Sequence, residues 1–372
     1  VFHLMFSLPS VYVVARVLWP LPWPTALKLG LGIILLAAGQ FHFWNRVSSG
    51  SVFSPEFPRV VVILFNWAFG TMVLLAGMQF ALDLVSLVSR VFPRGGWSIS
   101  DAWRYAIAGS AMLLAAVAVQ QALRVPPTKD IEVAVRNLPP EFDGYRLLQL
   151  TDLHISRLFP EPWAKSVVER AMALDVDLIV VTGDFIDGSV AARREDVEPL
   201  RGLRARDGVW AITGNHEYFF GADAWMEHFA GMGMRILANE HVVLRRGAGA
   251  VVLAGVTDLS PANRRQPHDL EAALAGAPAD APVLLLDHQP RAAREAAERG
   301  VALQLSGHTH GGMIVGLDRL IARANGGFVS GAYEVGGMIL YVNNGTALWP
   351  GFALRLGRPS ELTRITLRRR SP

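Results

Sequence analysis

The sequence predicts an α/β protein in which transmembrane helices precede a soluble domain of alternating strands and helices. Three observations predict it. Residues 1–123 hold long apolar runs with few charges, and residues 130–372 have the composition of an ordinary soluble domain. In that second part the apolar runs are short, end in polar residues and alternate with helical stretches.

The N-terminal part has four apolar segments, Phe2–Trp19, Ala26–Trp44, Val60–Val88 and Ala106–Leu123. A helix needs about 20 apolar residues to cross the hydrocarbon core, which the last three provide. The first is shorter and contains Pro9. Trp19, Trp23, Trp44, Trp97 and Trp103 fall near the segment ends, where amphipathic rings favour the interface. A cleaved signal peptide would account for one such segment, not four. The reading is therefore a multi-pass region of about four helices over residues 1–123, embedded in the cell membrane. Arg16, Lys28, Asp83 and His42 lie near span ends, and Asn66 and Gln79 are expected to be satisfied by a neighbouring helix. With so few polar groups deep in the spans, the region reads as an anchor rather than a transport pathway. Arg16, Lys28, Arg90, Arg94 and Arg104 lie opposite the domain, against Arg46, Arg59, Arg124 and Lys129 on its own side. The positive-inside rule thus leans, by one charge, to an extracytoplasmic domain.

Residues 124–142 read as a proline-bearing linker and lead-in segment, and residues 143–372 as the soluble domain. Strands are expected within 145–152, 177–184, 209–216, 251–258, 283–290, 301–310, 338–345 and 362–369. Helices are expected near 161–174, 191–204, 223–231, 268–276 and 290–299. Alternation of this kind places a ligand crevice at the C-terminal strand ends.

Those ends carry "TDLH" with Asp152 and His154, "TGDF" with Asp184, and "TGNHE" with Asn215, His216 and Glu217. "LDHQP" supplies His288, and "SGHTH" supplies His308 and His310. Residues two apart on a strand face the same way, so each of the pairs Asp152/His154 and His308/His310 is expected to point into one cleft, unless a turn after the strand redirects it. Mixed carboxylate and imidazole donors suit Zn, Mn, Fe or Co. The set exceeds what one tetrahedral ion needs and suits two ions sharing a carboxylate. The chain has no cysteine, which excludes disulfides, thiolate metal sites and cysteine nucleophiles. A net charge of +3 without a basic stripe argues against nucleic acid as a partner.

In this order and at strand ends, the motifs D-x-H, GD, GNHE, H and GHTH resemble the calcineurin-like metallophosphoesterase superfamily, in particular its membrane-anchored bacterial branch. The resemblance covers about residues 143–369 and implies a β-sheet sandwich covered by helices. It implies a dinuclear centre of two divalent metal ions. Asp152, His154 and His310 would hold one ion, Asn215, His288 and His308 the other, and Asp184 would bridge them. His216 would face the substrate phosphate as the catalytic residue. The implied reaction is hydrolysis of a phosphate ester, monoester or diester, by a metal-activated hydroxide. A membrane anchor makes lipid-linked or envelope-linked esters the leading expectation for substrate. The alternative is a membrane-tethered metal- or phosphate-binding sensor of weak activity; such a protein would usually lack a ligand or His216, and neither is missing. Asp187 and Asp258 are left open between structural and site-supporting roles, Glu217 is expected to support His216 or its own loop rather than bind metal, and oligomeric state is not legible.

Overall fold

A computed structural model describes residues 2–91, 96–260, 262–263 and 265–370. Arg94 of the sidedness count, and Val1, lie outside them. The chain divides into two compact units, Val1–Leu123 with Pro350–Leu356, and Arg124–Trp349 with Gly357–Pro372.

In the first unit, two of the four apolar segments form single helices long enough to span a bilayer, Arg59–Ser89 and Asp101–Leu123. The second segment is a pair, Thr25–Gly39 and Phe41–Ser49, bent by 59°. The first is a shorter apolar helix over Ser7–Leu18 whose last turn widens to π geometry at Val14–Leu18. The unit therefore has two spanning helices by length, or three if the bent pair counts as one span.

The polar groups of these helices find partners in unequal ways. Asp83 accepts from Arg16 Nη2 at 2.7 Å, Tyr12 Oη at 2.6 Å and Gln79 Nε2 at 2.8 Å. Gln79 is thus paired within its own helix rather than across to a neighbour. Asn66 is fully buried and takes its partners from its own helix and from the inserted segment Pro350–Leu356. Its amide donates to Val62 O and Pro350 O, each at 2.9 Å, and its oxygen accepts from Ala353 N at 2.8 Å. Phe352 meets Phe69 edge-on, and Arg355 N donates to Ala118 O. Gly70 makes room for this insertion, since a Cβ there would lie 2.8 Å from Leu354 Cδ2.

In the second unit the described residues contain twelve strands in two six-stranded sheets. The strands are β1 (Thr128–Val135), β2 (Arg146–Leu150), β3 (Leu178–Thr182), β4 (Val209–Ile212), β5 (Arg235–Ile236) and β6 (Glu240–Arg246). They continue with β7 (Gly249–Gly255), β8 (Val283–Leu286), β9 (Leu303–Ser306), β10 (Gly331–Val335), β11 (Met338–Val342) and β12 (Leu362–Arg369). One sheet has the order β1-β12-β2-β3-β4-β5, the other β10-β11-β9-β8-β7-β6. β1 falls inside the expected linker and lead-in segment, where Thr128–Val135 pairs with β12 in parallel.

Alternation along each strand builds the layers. Leu147, Leu178, Val180, Trp210 and Ile212 from one sheet meet Val251, Leu253, Leu284, Leu286, Leu303 and Leu305 from the other in a shared core. The intervening Val252, Ala254 and Leu285 face outward and pack on helices through Leu270, Ala273, Ala293 and Ala296. The result is a sheet sandwich with helical cover. Parallel runs β2-β3-β4 and β7-β8-β9 align their C-terminal ends, so six loops leave the sandwich side by side.

Candidate metal centre

Each motif begins one or two residues past a strand. Asp152 and His154 follow β2, Asp184 follows β3, Asn215 and His216 follow β4, His288 follows β8, and His308 and His310 follow β9. Pairing by strand alternation is not what aims them. Asp152 (φ 51°), His154 (φ 42°), Asp184 (φ 54°), His308 (φ 68°) and His310 (φ 50°) all occupy the left-handed region. For residues with a Cβ this conformation costs on the order of 1–3 kcal/mol each, and it clusters where function demands a given side-chain direction.

The turns bring these side chains into one buried cluster. The donor atoms of Asp152, His154 and His310 lie within 4.8 Å of one another, as do those of Asp184, His288 and His308, and those of His154, Asp184 and His216. His154 Nε2 stands 3.3 Å from His310 Nε2 and 3.8 Å from Asp184 Oδ2. Asp152 Oδ1 lies 3.7 Å from His310 Nε2. His288 Nε2 lies 3.2 Å from Asp184 Oδ2, and Asn215 Oδ1 is 2.9 Å from His308 Nδ1. Donors about 2.1 Å from one ion stand roughly 3.0 Å apart when adjacent and at most about 4.2 Å apart across it, so these separations fit divalent cations. His288 sharpens the test. Its Nδ1 donates to Thr182 O at 2.7 Å, which turns Nε2 toward Asp184, where, against burial, the neighbouring carboxylates hold the ring charged and a cation would take the place of the Nε2 proton. That nitrogen is fully buried and faces the Asp184 carboxylate at 3.2 Å, the position a cation would take.

A second layer of groups holds the first in place. Asp187 Oδ2 accepts from His154 Nδ1 at 3.0 Å and Oδ1 from His216 Nδ1 at 2.5 Å, so one buried carboxylate orients two rings. The Glu217 carboxylate accepts from the backbone N–H of Gly214, Asp184 and Phe185 at 2.7, 3.0 and 2.8 Å. It therefore ties the β3 loop to the β4 loop as well as supporting its own. Asp184 Oδ1 in turn accepts from His216 N at 2.8 Å. Gly214 is required by this closeness, because a Cβ would sit 2.2 Å from Asp184 Oδ1. Asp258 lies to one side, accepting from Gln289 Nε2 at 3.0 Å and from Ser260 N at 2.7 Å.

The charges are strongly coupled. Burial works to lower the His216 pKa, but the carboxylates of Asp184 and Asp187 outweigh it and hold the ring at about 9. For Asp184, burial is likewise overcome, here by His288 and His216, and the carboxyl sits well below its usual range. Burial pushes Glu217 up to about 7, helped by the Asp184 charge. Burial, with the charge of His288, presses His308 down to about 3.

All eight side chains singled out from the sequence therefore come together. Asp187, left open on sequence, is placed between two of them. The turn Asn343–Gly345 was not singled out, although "VNNG" ends an apolar run in the same manner as the other motifs. Thr346 N and Ala347 N bind the Thr151 and Asp152 carbonyls at 2.8 and 2.9 Å, and a Cβ on Gly345 would stand 3.0 Å from His310 Nδ1.

A two-sheet sandwich with carboxylates and imidazoles gathered at its strand ends defines a metallophosphoesterase domain. Residues 145–312 match the calcineurin-like phosphoesterase family. A zebrafish (Danio rerio) protein described as a transmembrane protein with metallophosphoesterase domain is 29% identical over 90% of this chain and 87% of its own length. A bovine (Bos taurus) protein of the same description is 34% identical over 68% of this chain and 60% of its own length. The Bacillus subtilis metallophosphoesterase YkuE is 32% identical over 62% of this chain and 82% of its own length. The chain belongs to the calcineurin-like phosphoesterase family, and its apolar helices together with these relatives make it a membrane protein.

Proposed function

We propose that the chain is a membrane-anchored, metal-dependent phosphoesterase working at a dinuclear centre. Asp152, His154 and His310 would hold one divalent ion (Mn, Zn, Fe or Co), Asn215, His288 and His308 the other, and Asp184 would serve both. The observation that carries this reading is the position of Asp184, whose Oδ2 lies 3.8 Å from His154 Nε2 and 3.2 Å from His288 Nε2. One carboxylate thus faces both halves of the cluster.

The bound ions would neutralise the ester's negative charge and acidify the attacking water. The protein's own part is orientation and proton supply. Asp187 holds His154 and His216 with Nδ1 donating, which supports a reading in which Nε2 of His154 meets a metal and Nε2 of His216 the phosphate. With Nδ1 donating to Asp187, the His216 ring would stabilise phosphate charge and could deliver an Nε2 proton to the departing oxygen. Lipid-linked or envelope-linked esters are the proposed substrates, favoured by the membrane helices of the same chain.

The test is hydrolysis by the Mn-loaded full chain of phosphodiester and phosphomonoester probes, in water-soluble and lipid form. Metal-dependent release of the leaving group, abolished by Asp184→Asn, supports the reading. Bound metal without turnover on any probe refutes it in favour of a sensor.

A further inference from the structure

The segment that leaves the last two candidate ligands has an unusual surface. After His310, Gly311 and Gly312 the chain runs through Met313–Leu317 into a short helix, Asp318–Ala324, none of whose residues is buried. Both ends of the segment are fixed. Ile314 forms a bridge with Gly357, and a Cβ on Gly312 would be 2.4 Å from Asp318 Cα. Beyond the helix, Arg294 Nη1 donates to Gly326 O at 2.9 Å. Between these ties Val315 is 65% and Leu320 59% exposed, which is exceptional among large apolar residues of this unit.

Charge accompanies the apolar surface. The helix's one acid, Asp318, is taken by Arg358. Arg319 and Arg323 remain on its exposed surface. Ile321 is half-buried beneath the helix, but leaving Leu320 and Val315 in water beside two arginines is costly. At the boundary between headgroups and acyl chains the same composition is favourable, since the apolar side chains leave water and the cations meet anionic headgroups. A protein partner would more often meet such a patch with acids and a shaped groove; here two arginines complement a uniformly anionic surface.

We propose that residues 313–324 dock on the headgroup region of an anionic bilayer, as a lip from which a lipid phosphate reaches His308 and His310. The docking rests on the exposed surface alone, whereas the delivery of a substrate rests on the phosphoesterase reading above.

The absence of cysteine from the chain makes the test direct. A single Leu320→Cys in the full chain is labelled with a polarity-sensitive fluorophore and placed in anionic nanodiscs doped with spin-labelled lipid. The control is Asp280→Cys, exposed just before β8 and so at the strand end opposite the site. The expected result is quenching and a blue shift at position 320 and neither at position 280. Arg319→Gln and Arg323→Gln, added to the labelled chain, should each lower the docked-to-undocked ratio about fivefold, the equivalent of roughly 1 kcal/mol per cation at an anionic surface. Quenching at 320 no greater than at 280 overturns the proposal. A label shielded from water yet untouched by spin-labelled lipid also overturns it, in favour of a protein partner. Because the readout is optical, docking without hydrolysis would sink only the phosphoesterase reading, and hydrolysis without docking only this one.

Discussion

Asp187→Asn changes one acceptor oxygen to a donor and little else. In the wild-type chain its two oxygens take Nδ1 of His154 at 3.0 Å and Nδ1 of His216 at 2.5 Å. An amide offers only one acceptor oxygen, and its NH₂ donates. The ring that meets the NH₂ must accept through Nδ1 and so carry its proton on Nε2. If that ring is His154, the lone pair assigned to a metal is lost, and changes to such outer partners cost about 10–100-fold in affinity or activity. If it is His216, the ring no longer holds both protons, and losing a positioned general acid costs about 10²–10⁴-fold. Either branch lowers kcat/KM, with a central expectation of about two decades, or roughly 2.7 kcal/mol of transition-state stabilisation. The assay is kcat/KM for a chromogenic phosphodiester at saturating Mn, with metal content measured on the same sample. Metal content separates the branches, since only the His154 branch depletes metal. Unchanged kcat/KM with full metal content would refute the argument that this carboxylate sets both tautomers.

Three further outcomes follow from the packing. Gly214→Ala should lose metal and activity together, because the new Cβ would stand 2.2 Å from Asp184 Oδ1; a fully active, metal-replete variant would contradict this. Asn66→Ala removes the partners of Pro350 O and Ala353 N inside the helical unit, and should cost about 1–3 kcal/mol in unfolding measured in detergent, with no loss counting against the pairing. Asp177 accepts from Arg146 N and Arg246 Nη2, and although burial works to raise its pKa, these bonds and charges hold it below the usual value. Its folded pKa being the lower, Asp177 stabilises the fold above the unfolded value of about 3.9, and the contribution is lost as pH falls through the folded pKa. Asp177→Asn should therefore lower stability at neutral pH and approach wild type in acid melts; a gap that widens in acid would reverse the sign.

What was legible in the sequence follows a physical rule. Most strands with two neighbours were visible as apolar runs, because both their faces are covered; β12, which keeps Arg368 and Arg369 exposed, shows alternation instead. The four that were missed, β1, β5, β6 and β10, are the four sheet edges. Such strands keep one side in water; Lys129 and Glu132 in β1 and Glu240, Arg245 and Arg246 in β6 break up the pattern. The site was legible as a residue set, since each motif stands at a strand end. Its geometry was not. Asp152/His154 and His308/His310 converge through left-handed turns past the strands, and φ has no signature in an Asp or His. Nor does "PGFALRL" announce that Pro350–Leu356 will pack among helices whose nearest sequence neighbour is more than 200 residues away.

The central claim is a cluster built for two ions sharing Asp184. Its most direct test is metal stoichiometry by elemental analysis of the folded full chain after Mn loading and removal of free metal, beside Asp184→Asn prepared in the same way. The account predicts close to two ions per chain in the wild type and loss from both positions in the variant. A correctly folded wild type that retains no ion, or a variant that retains both, would contradict it.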